Sequence, residues 1–135
     1  MLNNLQQRLS QHQLLSQLRI KLLRLHQLLL DTERISYERV RGQITRGELL
    51  QLAIGHAQFA WLHQLSRLIV QFDDLLEADE PATPEVVAAL VGNVRTLLVP
   101  DELGSDFAVK YDAAFQQSPD VVLAHADVMG LLPAA

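Results

Sequence analysis

The stretch that decides the fold of this 135-residue chain is Leu14-Leu15-Ser16-Gln17-Leu18-Arg19-Ile20-Lys21-Leu22-Leu23-Arg24-Leu25-His26-Gln27-Leu28-Leu29. Counted from Leu14, the leucines at 15, 18, 22, 25 and 29 stand at offsets of 1, 4, 8, 11 and 15. That spacing is one face of a helix with 3.6 residues per turn, and it does not fit the alternation of a strand. No proline or glycine interrupts residues 2–41, and Gly42 supplies a terminator, so the pattern predicts a single helix over that range. A second apolar set, Leu2, Leu5, Leu9, Ile20, Leu23 and Leu30, falls near the opposite side of the same helix. A helix that is apolar on two sides needs two partners, or one partner and a subunit interface.

Downstream, start and stop signals recur at short intervals. Thr45-Arg46-Gly47-Glu48 is a capping box, and Leu49, Leu50, Leu52 and Ile54 follow it until Gly55 marks a break. Residues 57–79 read as one strong helix, with Trp61, Leu65, Leu68, Phe72 and Leu76 spaced 4, 3, 4 and 4. Thr83-Pro84-Glu85 starts the next helix: threonine caps, proline occupies the first turn, and an acid sits at the positive end of the dipole. Val87, Leu90, Val91, Val94 and Leu98 form its buried face before Pro100. Ser105 or Asp106 caps a short helix with Phe107, Tyr111, Ala114 and Phe115, and Ser118-Pro119-Asp120 opens a last one with Val121, His125, Val128, Met129 and Leu132 on one side. Leucine supplies 27 residues and glutamine 13, against 5% aromatics, which favours helices over strands throughout. The expected fold is all-α, a five- or six-helix bundle with a long N-terminal helix. Residues 1–20 are expected to form an arm continuous with that helix, and residues 21–135 the bundle domain. At about 1.5 Å per residue the first helix spans roughly 60 Å, against about 34 Å for residues 57–79, so its first turns overhang.

Composition excludes several chemistries. The absence of cysteine removes disulfides, thiolate metal sites and cysteine nucleophiles together. Residues 1–50 carry eight basic and four acidic side chains, net +4, and residues 51–135 carry three and twelve, net −9, summing to the formal −5. That asymmetry lets one end attract the other, within a subunit or between subunits. The overall acidity speaks against nucleic acid as a partner. A helix-turn-helix centred on Gly55 fails as well, because the second helix would carry Phe59, Trp61 and Leu62 with only Arg67 as a base. No apolar run reaches the roughly 18 residues of a spanning helix, and Arg8, Arg19, Lys21 and Arg24 break the pattern of a secretory signal, so a cytoplasmic location is expected.

No catalytic, cofactor or metal residue is expected. His12, His26, His56, His63 and His125 lack the Glu-x-x-His spacing of a di-metal bundle. His56 and His63 are seven apart, but Gly55 puts His56 at a helix end. His125, on an apolar stripe, is expected to be a core histidine bonded to a backbone carbonyl. Asp73 and Asp74 are adjacent on a helix and do not face each other. Glu33 lies close to the extension of the leucine stripe, and the expectation is that the helix turns away from the core near Asp31. No phosphate loop or nucleophile elbow is present.

Three stretches, Tyr37-Glu38-Arg39, Phe59-Ala60-Trp61-Leu62 and Asp120-Val121-Val122-Leu123-Ala124-His125, resemble a group of short, all-helical, uncharacterised bacterial proteins. The likeness spans roughly residues 22–132 and omits the first twenty. It implies a bacterial, cytoplasmic origin and a compact helical fold, and it carries no activity, cofactor or catalytic residue.

The function expected from these features is a non-enzymatic helical interaction module, a homodimer or the partner of another helical protein. Leu2, Leu5, Leu9, Ile20 and Leu23 are the candidate interface. The alternative is a small-molecule-binding bundle with a pocket near Trp61, contacted by Tyr37 and His63.

Overall fold

The leucine stripe becomes the spine of the core. In the computed structural model, which describes residues 2–100 and 104–133 with side chains from residue 4 onward, Leu15, Leu18, Leu22, Leu25 and Leu29 are all buried. They lie along α1 (Leu2–Arg41), which runs unbroken past Asp31 and Thr32. Gly42 ends it in the left-handed conformation at φ +82°, where its N–H closes on the Glu38 carbonyl at 2.8 Å. The Glu38 side chain secures the turn that follows. One carboxylate oxygen accepts from Arg34 Nη1 at 2.6 Å and the other from the Ile44 N–H at 3.0 Å.

Five more helices follow: α2 (Arg46–Gly55), α3 (His63–Glu77), α4 (Pro84–Leu98), α5 (Asp106–Gln117) and α6 (Pro119–Leu131). Their starts are the capping residues of the sequence. Thr45, Thr83, Ser105 and Ser118 each accept a backbone N–H three residues on, at 3.0 to 3.3 Å. The described residues contain no strand, so the architecture is an all-α bundle. α1 packs against α3 on one side and α6 on the other; α4 closes over α3, and α5 bridges α4 and α6. α2 stands outside this arrangement, contributes no buried residue, and leans chiefly on the segment that follows it.

Residues 57–79 do not form one helix. Ala57–Leu62 is a 3-10 segment, and the α-helix begins only at His63 and ends at Glu77. The tighter winding stacks residues three apart, so Phe59 and Leu62 enter the core together. A helical wheel drawn through this stretch could not register that change of pitch, because both windings keep apolar residues three or four apart. His56, at the bend, accepts the Gln58 N–H on Nδ1 at 3.1 Å and so caps the segment.

The core holds no buried polar or charged residue, and no buried side-chain nitrogen or oxygen is left unpaired among the described residues. No described helix is long and apolar enough to cross a membrane.

Candidate functional site

Each side of α1 has a different chemistry. Toward α3, Arg19 pairs with Asp73, His26 Nε2 meets Ser66 Oγ at 2.8 Å, and Glu33 receives Trp61. Toward α6, Lys21 lies 3.9 Å from Asp127. The bases of the N-terminal half are thus answered by acids of the C-terminal half within one chain. The Arg19–Asp73 pair is half-buried and the Lys21–Asp127 pair more open to solvent, where such a pair contributes little to stability.

Among the described residues, the outer side of α1 has no such partners over residues 4–23. Leu5, Leu9 and Ile20 keep 55, 57 and 56% of their surface exposed, while Leu23 and Leu30 are half-buried against the core. The side chain of Leu2 lies outside the described residues. Leu14 is the first residue of α1 that touches the core, and Leu15 and Leu18, inside the stretch expected as an arm, are fully part of it. The unpacked portion is therefore residues 4–13. Its orientation is informative. Asn4, Gln7, Arg8 and Gln11 face Pro81–Pro84 across open clefts of about 440 and 250 Å³. The polar residues of the arm point back toward their own domain, and the leucines point away from it. Beyond Leu30 the outer side changes again, to the ion-paired Asp31, Arg34 and Glu38.

The residues proposed for a pocket are scattered. Trp61 is buried, with its ring 5.4 Å from that of Phe107, and its Nε1–H donates to Glu33 Oε1 at 3.0 Å. Gln58 Nε2 donates to the other Glu33 oxygen at 3.0 Å. Tyr37 stands edge-on to His56 and beside Phe59, and His63 donates from Nε2 to the Ala53 carbonyl at 2.9 Å. A cleft of about 910 Å³, open to solvent, lies across Glu33 between α1 and the α5–α6 corner. Glu33, Arg39, Gln58, Lys110 and Asp120 line it; Tyr37, Trp61 and His63 do not. As expected, α1 leaves the core near Asp31: no residue of the helix beyond Leu29 is buried, although the helix itself continues to Arg41. Glu33, half-buried, receives two side-chain donors from the 3-10 segment. Nothing local to residue 33 announces those donors, which are 25 and 28 residues away.

His125 also differs from its expected environment. Its Nδ1 meets the Tyr111 hydroxyl at 2.6 Å instead of a backbone carbonyl. Phe115 stands edge-on to the imidazole, and Phe107 stacks on Tyr111. Burial pushes the Tyr111 hydroxyl far above its ordinary range, so the phenol keeps its proton and donates it to Nδ1. Burial lowers the pKa of His125, and burial followed by repulsion from His63 lowers that of His26. Both imidazoles therefore take up a proton less readily in the fold than in the unfolded chain, where histidine titrates near pH 6.5. Stability is full above that pH and falls as the pH drops through the window beneath it, because the unfolded state binds more protons there. A melting series from pH 7.5 to 5.5, where carboxylates stay ionised, is expected to show this decline. His26→Gln and His125→Gln should each flatten it; an unchanged slope in both variants would assign the decline to other groups.

The Ser66 hydroxyl donates to the Leu62 carbonyl at 3.2 Å, which leaves its oxygen to accept from His26 Nε2–H. That arrangement ties α1 to α3 and does not activate the serine as a nucleophile, since the hydroxyl proton is turned away from the imidazole. Among the described residues no group of three or more histidines and carboxylates is placed to hold a metal ion. No family model, no curated protein and no solved structure matches this chain.

Proposed function

We propose that this chain is a non-enzymatic helical interaction module that docks a partner helix on the outer side of α1. The observation that carries this reading is the orientation of residues 4–13, where Leu5 and Leu9 face away from the domain while Asn4, Gln7 and Gln11 face it. A stretch of helix that served only its own bundle would bury its leucines inward. The resemblance to helical bacterial proteins and the lack of a membrane-spanning helix among the described residues support a bacterial, cytoplasmic setting.

The test is the pair Leu5→Glu with Leu9→Glu in the full chain. In dilute solution the melting temperature is expected to stay within about 2 °C of wild type, because exposed substitutions change stability by only about 0.5 kcal/mol. At high concentration, association seen by light scattering is expected to disappear. A fall in the dilute melting temperature of the size caused by a core truncation would show that the stripe belongs to the domain's own fold, and the reading would be lost.

A second reading, small-molecule binding, draws on the cleft beside Glu33. Trp61 donates to that carboxylate, so a ligand displacing Gln58 would alter the fluorescence of the chain's single tryptophan.

A further inference from the structure

The cleft across Glu33 holds two opposite charges that no other group of the described residues answers. Glu33 is half-buried, and its two carboxylate oxygens accept from neutral groups, Trp61 Nε1–H and Gln58 Nε2–H, each at 3.0 Å. Those bonds hold the carboxylate in place without cancelling its charge. Arg39 lines the same cleft from the same helix and is exposed. Among the described residues neither side chain takes part in an ion pair. They do not answer each other, because about 9 Å of helix axis separates them, past the spacing of three or four residues at which helical side chains meet. The other charges of the cleft are accounted for. Asp31 pairs with Arg34, Lys110 lies 3.5 Å from Asp106, and Asp120 sits in the first turn of α6, at the positive end of its dipole. Resting on the second reading above, small-molecule binding in this cleft, we propose that the ligand is a short peptide zwitterion. It is a dipeptide whose amine lies at Glu33 and whose carboxylate lies at Arg39.

Chemistry, spacing and room each favour that class. An ammonium that takes the place of the Gln58 amide exchanges a neutral hydrogen bond on Glu33 for a charge-assisted one. The planar guanidinium of Arg39 suits a carboxylate, which it holds through two parallel bonds. A cation alone would leave Arg39 unanswered, and an anion alone would leave Glu33 so. In an α-amino acid both charged groups stand on one carbon, too close together to reach both sites. An extended dipeptide sets them about 7 Å apart, near the roughly 9 Å between the two positions on α1. The cleft, about 910 Å³, has the volume of a small-molecule site, and Leu28, Ala113 and Ala114 give it apolar surface for the peptide's own side chains. Ser36 and Gln117 line it as well and offer donors and acceptors to the central amide.

The test uses the full chain and alanyl-alanine in three forms: free, acetylated at the amine, and amidated at the carboxyl. Calorimetry measures binding, and the emission of Trp61 reports on Glu33 through their hydrogen bond. The free dipeptide is expected to bind about tenfold more tightly than either blocked form, the effect of one charge-assisted bond. Arg39→Gln is expected to weaken the free form about tenfold and to leave the amidated form unchanged. Because Arg39 is exposed, this variant keeps the wild-type melting temperature. Glu33→Gln, checked for folding by circular dichroism, should weaken the free form and leave the acetylated form unchanged. Equal affinity for free and blocked forms, or for the free form with and without Arg39, would overturn the zwitterion while the cleft stands as a binding site. Glycine, butylamine and butyrate are titrated beside the dipeptides. Saturable binding of one of these without the free dipeptide would overturn this ligand class and keep the small-molecule reading. No saturable binding of any probe would overturn both.

Discussion

Truncating Leu22 to alanine is expected to destabilise the domain by about 3 kcal/mol, within the range for leucine-to-alanine changes in closed cores. For a chain of this size that corresponds to a fall of roughly 10 °C in melting temperature. Leu22 is completely buried on the face of α1 that meets α3, α4 and α6. Removing its side chain leaves a cavity bordered by several elements, none of which can relax inward without disturbing the others. Leu9→Ala is the control on the same helix. Leu9 is more than half exposed, so the expected change is within about 0.5 kcal/mol. Urea or thermal melts of both variants in dilute solution measure the contrast. Equal losses would mean that the outer leucines are packed by the domain, and a negligible loss at Leu22 would contradict the core described above.

The second large effect is expected at Trp61. Its indole fills the space against Phe107 and sends its N–H to Glu33. Trp61→Ala removes the ring and the donor together and is expected to cost about 4 kcal/mol. Two gentler variants separate those contributions. Trp61→Phe keeps much of the apolar volume and loses the donor. Glu33→Ala keeps the indole but leaves its N–H without its acceptor, at a cost of about 1–3 kcal/mol. Combined, the two changes should cost less than their sum, because each already breaks the same hydrogen bond. Strict additivity in equilibrium unfolding would mean that the bond contributes nothing. Emission from Trp61 gives an independent readout in the Glu33 variant, since loss of a neighbouring carboxylate exposes the indole to water.

Most of the architecture was legible in the sequence, and for a local reason. Helix periodicity and capping chemistry act over three or four residues, so Leu15 to Leu29 announce a buried face, and Thr45, Thr83 and Ser118 announce starts. Gly42 was legible because few residues other than glycine adopt its backbone conformation without strain. The side-chain partnerships were not. Trp61 with Glu33, Tyr111 with His125 and Ser66 with His26 join residues 28, 14 and 40 apart. Their pairing depends on the rotation and offset of packed helices, which the pattern of apolar residues fixes only loosely. His26 illustrates the limit. It adjoins Leu25 at the edge of the buried stripe, yet nothing nearby singled out its burial or its partner Ser66. The outer stripe was legible as a second apolar face, yet only the structure revealed that the arm's polar side is the one turned toward the domain.

The central place of α1 between α3 and α6 also governs how the chain is made. Synthesis delivers α1 first and α6 last, and the buried stripe cannot be fully covered until Val121, Ala124 and Val128 have emerged. At translation speeds of about 5–20 residues per second, the roughly 80 residues between the end of α1 and the start of α6 take on the order of 4–16 s. Throughout that interval the growing polypeptide presents a long leucine-rich helix with apolar residues on two sides. The segment that organises the finished domain is therefore the one most in need of shielding at the ribosome.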